Sequence, residues 1–159
     1  YYIGEFSLYK KLAEINAIEF VVPIYIGKAV PPGWRTARTS DIEGSVVGRL
    51  REHSQSIRHT NNLDIHDFRC RIMILSGYDS GLIAPIEAAL IGKHTPIWNS
   101  IISGFGIHAP GKGRYNQTIS EWDVLHPGRP FTELMTGGRA DQTLAETKIK
   151  QHPDGLRFP

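Results

Sequence analysis

The run FVVPIYIG at positions 20–27 constrains the fold of this chain more than any other stretch. It is short, rich in β-branched and aromatic residues and closed by a glycine, which is typical of a buried strand, although Pro23 prefers a strand edge. In the run FRCRIMIL at 68–75, side chains alternate between an apolar face and a face with two arginines, so a second strand is predicted. The stretch YYIGEF at 1–6 predicts the end of a third strand.

Apolar residues at helical spacing separate and follow these runs. They predict a short helix over 8–15, a longer one over 42–58, one that begins near Pro85 and ends at Gly92, and one over 143–150. Glycine-rich and polar loops dominate after Pro96. The first hundred residues therefore indicate an α/β core. We expect residues 1–100 to form this core, with an insertion at about 7–20, and 101–159 to form a loop-rich extension of the same domain.

Composition places few limits on function. The 159 residues are 40% hydrophobic and 21% charged, as in one globular domain, and 18 basic residues against 16 acidic ones neither require nor exclude a polyanionic partner. The single cysteine, Cys70, excludes an internal disulfide framework, and the sequence has no signal peptide or membrane-length apolar run. We therefore expect a soluble, cytoplasmic protein.

Four polar residues on the predicted helices and in a loop are candidates for chemistry. Arg49 and His53 are four positions apart, so a cation and an imidazole share one helix face. Glu87 has Ile91 at i+4 instead of a basic partner, so it either faces solvent or has another partner, such as a metal ion. Asn99, in TPIWN, can bond a phosphate or another side chain. Taken singly, each also fits a structural role, on a solvated helix face or in a turn.

The order of these features resembles the GIY-YIG nuclease superfamily over about residues 1–99. The matching features are YIGK at 25–28, the helix with Arg49 and His53, a strand, the helix with Glu87, and PIWN at 96–99. Within the superfamily, PIYIGKA, GRLREHSQSI and PIEAALIGKHTPIWN are most similar to small bacterial Type II restriction endonucleases, including one that cuts the palindrome CCGCGG. The resemblance implies an α+β core with a short central antiparallel sheet flanked by helices, with loop-rich insertions and a C-terminal extension.

The resemblance identifies the second YIG as the signature and the first, in YYIGEF, as a coincidence of strand composition. Only the second is followed by Lys28 and the helix with arginine and histidine. The first half of the family signature, a glycine before a tyrosine, is not visible, because Gly4 follows Tyr1 and Tyr2. We expect that tyrosine to lie upstream of Tyr1.

The resemblance also implies a reaction, the hydrolysis of DNA phosphodiester bonds. Glu87 would hold one Mg²⁺ ion in each active site, and Arg49 would clamp the non-bridging phosphate oxygens. Tyr25 and His53, with the tyrosine expected upstream of Tyr1, would surround the attacking water, and either tyrosine could take its proton. Asn99 would orient the phosphate or a neighbouring side chain. The partner would be double-stranded DNA, with no membrane and no nucleotide cofactor.

A palindromic target implies a homodimer with two active sites. The candidate DNA-contacting residues are those of the types that bond phosphates or read base edges: Lys28, Arg35, Arg38, Lys112, Arg114, Asn116 and Gln117. Two alternatives stay open, a homing or repair-type nuclease and a non-catalytic DNA-binding module.

Overall fold

The computed structural model of the protein describes residues 1–30, 42–75, 77–107, 109–111 and 115–152. The α-helices in these ranges are α1 (Lys10–Asn16), α2 (Ile42–Arg58), α3 (Ile83–His94), α4 (Glu121–Leu125) and α5 (Gln142–Gln151). Short 3₁₀ segments lie at Ser7–Tyr9, Ile65–Asp67, Gly77–Leu82 and Pro130–Leu134, and a π-helical turn at Ile97–Ile101. The four helices predicted from apolar spacing are confirmed as α1, α2, α3 and α5, whereas α4 was not predicted. Within the described residues, no helix combines the length and apolarity that a membrane span requires.

The predicted central antiparallel sheet is wrong. Where the structure describes the chain, β-pairing is limited to isolated bridges, antiparallel between Tyr2 and Phe68 and parallel between Ile119 and Arg139, and no strand forms. The α/β class predicted from the three apolar runs is corrected accordingly, and the described architecture is helical with extended segments.

Side-chain amides explain why the extended run at 20–27 does not join a ladder. The buried Asn16 accepts the backbone N–H groups of Val21 (3.1 Å) and Val22 (3.0 Å) at Oδ1, and its Nδ2 donates to the carbonyl of Val22 (2.9 Å). Pro23 has no N–H to donate. The run therefore has strand composition, but carboxamides satisfy backbone groups that a neighbouring strand would otherwise bond.

The run at 68–75 fails as a strand for a different reason. Among the described residues, its backbone bonds the N-terminal residues only at Arg69, whose N–H donates to Tyr1 O (3.0 Å) and whose carbonyl accepts from the Tyr1 amine (2.8 Å). Just before the run, Ile3 N–H donates to Asp67 O (2.9 Å). Beyond this bridge, Ile72, Met73 and Ile74 are 53%, 66% and 64% exposed, so the alternation does not correspond to a buried face. Alternation of apolar and polar side chains predicts an extended backbone. Whether that backbone pairs and is buried depends on a neighbouring strand, which the alternation does not specify.

An aromatic core joins the two halves of the chain. Trp98 contacts the rings of Phe105 (4.3 Å between centroids), Phe68 (5.5 Å), Trp122 (5.6 Å) and Tyr9 (6.0 Å). Other buried members come from α1, α2, α4, α5 and the extended run, namely Leu12, Ala13, Val22, Ile24, Ile57, Leu125, Ala145 and Ile149. The residues around the candidate site are thus packed against one core.

A buried hydrogen-bonded chain crosses this core. Trp98 Nε1 donates to the Tyr9 hydroxyl (2.9 Å), Tyr9 bonds His126 Nε2 (2.7 Å), and His126 Nδ1 bonds Asn62 Oδ1 (3.0 Å). Because Asn62 Nδ2 donates to the Leu125 carbonyl (2.8 Å), its Oδ1 is the acceptor, so His126 holds its proton on Nδ1 and accepts from Tyr9 at Nε2. Burial lowers the pKa of His126 to about 3. The imidazole is neutral in the folded protein.

This histidine predicts a loss of stability in acid. In the unfolded chain His126 is protonated below its ordinary pKa of about 6.5, whereas in the folded chain it stays neutral down to about pH 3. Its contribution to stability is therefore fully present above pH 6.5 and is lost as the pH decreases. We expect the contribution of His126 to the free energy of unfolding to drop by about 1.4 kcal/mol for each pH unit below 6.5. Urea unfolding of the wild type and of His126→Gln between pH 7 and pH 5 measures this slope. The variant should have a flatter profile, and equal slopes would contradict the prediction.

Candidate active site

The extended segment at 20–30 presents Tyr25 beside the aromatic core. Asn99 bonds both backbone groups of Ile26, accepting its N–H and donating to its carbonyl, each at 2.8 Å, and Trp98 N–H donates to Ile24 O (3.0 Å). The Tyr25 ring folds back over Gly27, where a Cβ would lie 2.7 Å from ring Cε1 and 2.8 Å from the hydroxyl. Glycine at this position therefore leaves room for the Tyr25 ring, and Asn99 holds the segment that bears the tyrosine.

Helix α2 places His53 and Arg49 next to this tyrosine. The imidazole lies edge-to-face with Tyr25 (5.1 Å, 70°) and stacks on Phe105 (4.9 Å, 19°), and Phe105 lies edge-to-face with Tyr25 (4.9 Å, 75°). A Cβ added to Gly106 would lie 3.0 Å from the Tyr25 hydroxyl and 3.6 Å from Arg49 Nη2. Tyr25, His53 and Arg49, separated by up to 28 positions in sequence, thus converge on the loop at 105–106.

Glu87 of α3 belongs to a cleft next to this cluster. The cleft has a volume of about 440 Å³ and is lined by Lys28, Ala29, Val30, Ser45, Gly48, Arg49, Glu52 and Glu87. The Glu87 carboxylate is 20% exposed and accepts a bond from Lys28 Nζ at 2.6 Å, and Arg49 Nη1 bonds Glu52 at 3.2 Å. Arg49 connects the two parts of the site, since it lies beside Gly106 together with Tyr25 and also lines the cleft.

The donor set in the cleft fits a hydrated divalent cation. In the described part of the chain, no three His, Cys, Asp or Glu side chains come together as a metal cage. Magnesium keeps several of its own waters and needs only one or two carboxylates together with substrate phosphates. Glu87, partly exposed on an open cleft and paired with the ammonium group of Lys28, is such a carboxylate.

The predicted DNA-contacting residues are only partly placed by the structure. Lys28 lies in the cleft, whereas Asn116 and Gln117 are exposed on a turn packed against Gly137, where a Cβ would lie 2.1 Å from the Asn116 carbonyl oxygen. That turn is hydrogen-bonded to residues 136–138 through backbone and threonine groups. Four other candidates lie outside the described residues: Arg35, Arg38, Lys112 and Arg114.

Sequence reasoning missed three residues that shape the site. Phe105 and Gly106 were included in a polar loop, although a lone phenylalanine between glycines was a sign of a buried ring beside a close approach. Glu52 was not singled out, although it lies three positions after Arg49. Phe105 and Gly106 take part through contacts between segments, whereas Glu52 takes part through a contact within α2.

A tyrosine, a histidine and an arginine next to a carboxylate-lined cleft supply groups that can move a proton, bond a phosphate and hold a cation. Residues 1–153 match the family model described as the Eco29kI GIY-YIG domain. Because this match covers nearly the whole chain, the chain belongs to that family of GIY-YIG restriction endonucleases, which are nucleases that act on DNA. The predicted resemblance to GIY-YIG restriction enzymes is confirmed at this level. A search of curated proteins found no match to the chain.

Proposed function

We propose that this chain is a Type II restriction endonuclease that cuts double-stranded DNA at a short palindrome in a Mg²⁺-dependent reaction. The observation that supports the proposal best is the convergence of Tyr25, His53 and Arg49 at one end of the cleft that contains Glu87. CCGCGG is the proposed target, by resemblance to the restriction enzyme that cuts it.

Each side chain has a role that follows from its position. The scissile phosphate enters the cleft, where the Arg49 guanidinium bonds two non-bridging oxygens with its planar fork. The attacking water lies between the Tyr25 hydroxyl and the His53 imidazole, and its proton passes to this pair as the bond to phosphorus forms. Glu87 would hold Mg²⁺, which supplies positive charge for the departing 3′ oxygen.

Two further residues prepare the cleft. Asn99 fixes the backbone at Ile26 through two bonds of 2.8 Å, so the direction of the Tyr25 side chain is set before DNA arrives. Lys28 neutralises Glu87 in the DNA-free chain through its 2.6 Å ion pair, and would be available to bond a DNA phosphate if Glu87 held a metal ion. Both roles concern preparation for the reaction and leave the proton transfer to Tyr25 and His53.

A palindromic target with two equivalent scissile bonds is matched by two copies of the chain related by a two-fold axis. We propose a homodimer on this ground. Such a dimer cuts both strands in one encounter, so plasmid DNA is converted to linear product with little nicked circle. A homing or repair-type nuclease would instead cut elsewhere or leave nicks.

The test is digestion of a supercoiled plasmid with one CCGCGG site by the full-length protein. Parallel reactions contain Mg²⁺ or EDTA, and a matched plasmid differs by one base pair in the site. We expect Mg²⁺-dependent linearisation of the first plasmid only. Equal cutting of both plasmids would overturn the specificity, accumulation of nicked circle would overturn the dimer, and tight binding without cutting would indicate a non-catalytic module.

A further inference from the structure

Arg129 is a buried arginine whose guanidinium makes several hydrogen bonds, and the proposed reaction does not use it. Its side chain is 2% exposed and lies over the rings of Trp122 (4.7 Å) and Phe131 (4.8 Å). Nε and Nη2 bond the two carboxylate oxygens of Asp123, each at 2.6 Å. The remaining donors bond backbone carbonyls of one loop, Nη2 to Gly104 (3.0 Å) and Nη1 to Phe105 (3.3 Å) and Ile107 (2.9 Å). All five N–H groups of the guanidinium are thus used.

A buried ion pair of this kind is not explained by stability alone. Desolvating both charges offsets most of their attraction, and well-packed apolar side chains of similar volume often stabilise a fold as well or better. What the planar fork adds is geometry, because its donors have fixed directions and draw three carbonyls of one loop to one point. The conformation of residues 104–107 therefore depends on Arg129, which is held in turn by Asp123.

The loop at 104–107 packs against the side chains of the candidate active site. Phe105 stacks on the His53 imidazole and contacts the edge of the Tyr25 ring. Gly106 lies so close to the Tyr25 hydroxyl and to Arg49 that a Cβ would be 3.0 Å and 3.6 Å from them. A shift of this loop would move the support of all three groups that surround the scissile phosphate in the proposed reaction.

We propose that Arg129, clamped by Asp123, is a positioning residue that sets the relative orientation of Tyr25, His53 and Arg49 through the loop at 104–107. This inference rests on the proposed function for its effect on cleavage. Its structural part, the dependence of the His53 environment on Arg129, is independent of any activity. Arg129 acts through the loop and contacts neither the cleft nor the phosphate.

Arg129→Lys tests the proposal because it keeps the charge opposite Asp123 and removes the planar fork. We expect a cleavage kcat lower by about 100-fold with the KM for DNA nearly unchanged, since misplaced catalytic groups slow the reaction more than they weaken binding. Gly106→Ala should also lower kcat and leave the KM nearly unchanged, because its methyl group presses on the Tyr25 hydroxyl without altering the ion pair. Gly92→Ala, where a Cβ meets nothing within 4 Å, is the matched control.

The ring protons of His53 give a second readout by NMR. Stacking on Phe105 displaces their resonances upfield, and Arg129→Lys should move them towards the positions of an unstacked imidazole. Unchanged His53 resonances in the folded variant would overturn the proposal whatever the cleavage rate. If Arg129→Lys does not fold, Asp123→Asn loosens the hold on the guanidinium instead, and unchanged His53 resonances with unaltered kcat in that variant would overturn the proposal. A wild type that never cuts DNA, combined with the expected His53 shift, would overturn the proposed function and leave the positioning role supported.

Discussion

Glu87→Gln is expected to lower the rate of DNA cleavage by about 1,000-fold or more while the protein stays folded and binds DNA. Glutamine has nearly the same shape but no negative charge, so it cannot hold the cation that stabilises the departing oxygen, a contribution of several kcal/mol. The ion pair lost with Lys28 involves partly exposed side chains and is worth at most about 1 kcal/mol of stability. We therefore expect the large effect on the rate of cleavage and only a small effect on stability.

The measurement combines three assays on the same variant. Single-turnover cleavage in Mg²⁺ gives the rate, fluorescence anisotropy of a duplex in EDTA gives the affinity, and thermal unfolding reports the fold. Glu14→Gln makes the same charge change at an exposed position of α1, outside the cleft, and should cut like the wild type. Cleavage by Glu87→Gln within about tenfold of the wild type would contradict the metal role.

The helical part of the site could be predicted from the sequence because its spacing rules are local. Arg49 and His53 lie four positions apart on α2, and this alone places both side chains on one face. Glu87 follows Pro85 in the first half of α3, as the proline near a helix start predicts. In each case the deciding interactions lie within a few residues, so one stretch of sequence contains the necessary information.

The absence of the predicted sheet from the described residues, and the contacts of the loop at 104–107 with the site, could not be predicted from the sequence. Both depend on residues that are distant in the chain. Asn16 and Asn99 each bond the backbone of the extended run at 20–27 through a side chain, which replaces pairing that strand composition alone suggests. Phe105 meets His53 from 52 positions away, and Arg129 meets Gly104 from 25. Neither contact leaves a period in the sequence, and HPGRPF gives no local sign that its arginine is buried.

Arg49→Ala should lower the cleavage rate by about 100- to 1,000-fold without unfolding the chain. The guanidinium lies where the cluster of Tyr25 and His53 meets the cleft, so it can bond the phosphate oxygens on which charge grows, and loss of one such donor costs this much in other hydrolases. The cost in stability is small, since alanine favours helix and the ion pair with Glu52 at i+3 is worth only a few tenths of a kcal/mol.

Matched variants separate this role from general electrostatics. Arg51→Ala removes the same charge from an exposed position of α2 and should weaken DNA binding slightly while cleavage of bound DNA is unaltered. Glu52→Gln breaks the ion pair but keeps the guanidinium, so it should also cut. Arg49→Lys keeps the charge without the planar fork, and a rate between those of Arg49→Ala and the wild type would show that geometry contributes besides charge. Equal losses for Arg49→Ala and Arg51→Ala would instead assign the effect to the overall positive charge of α2.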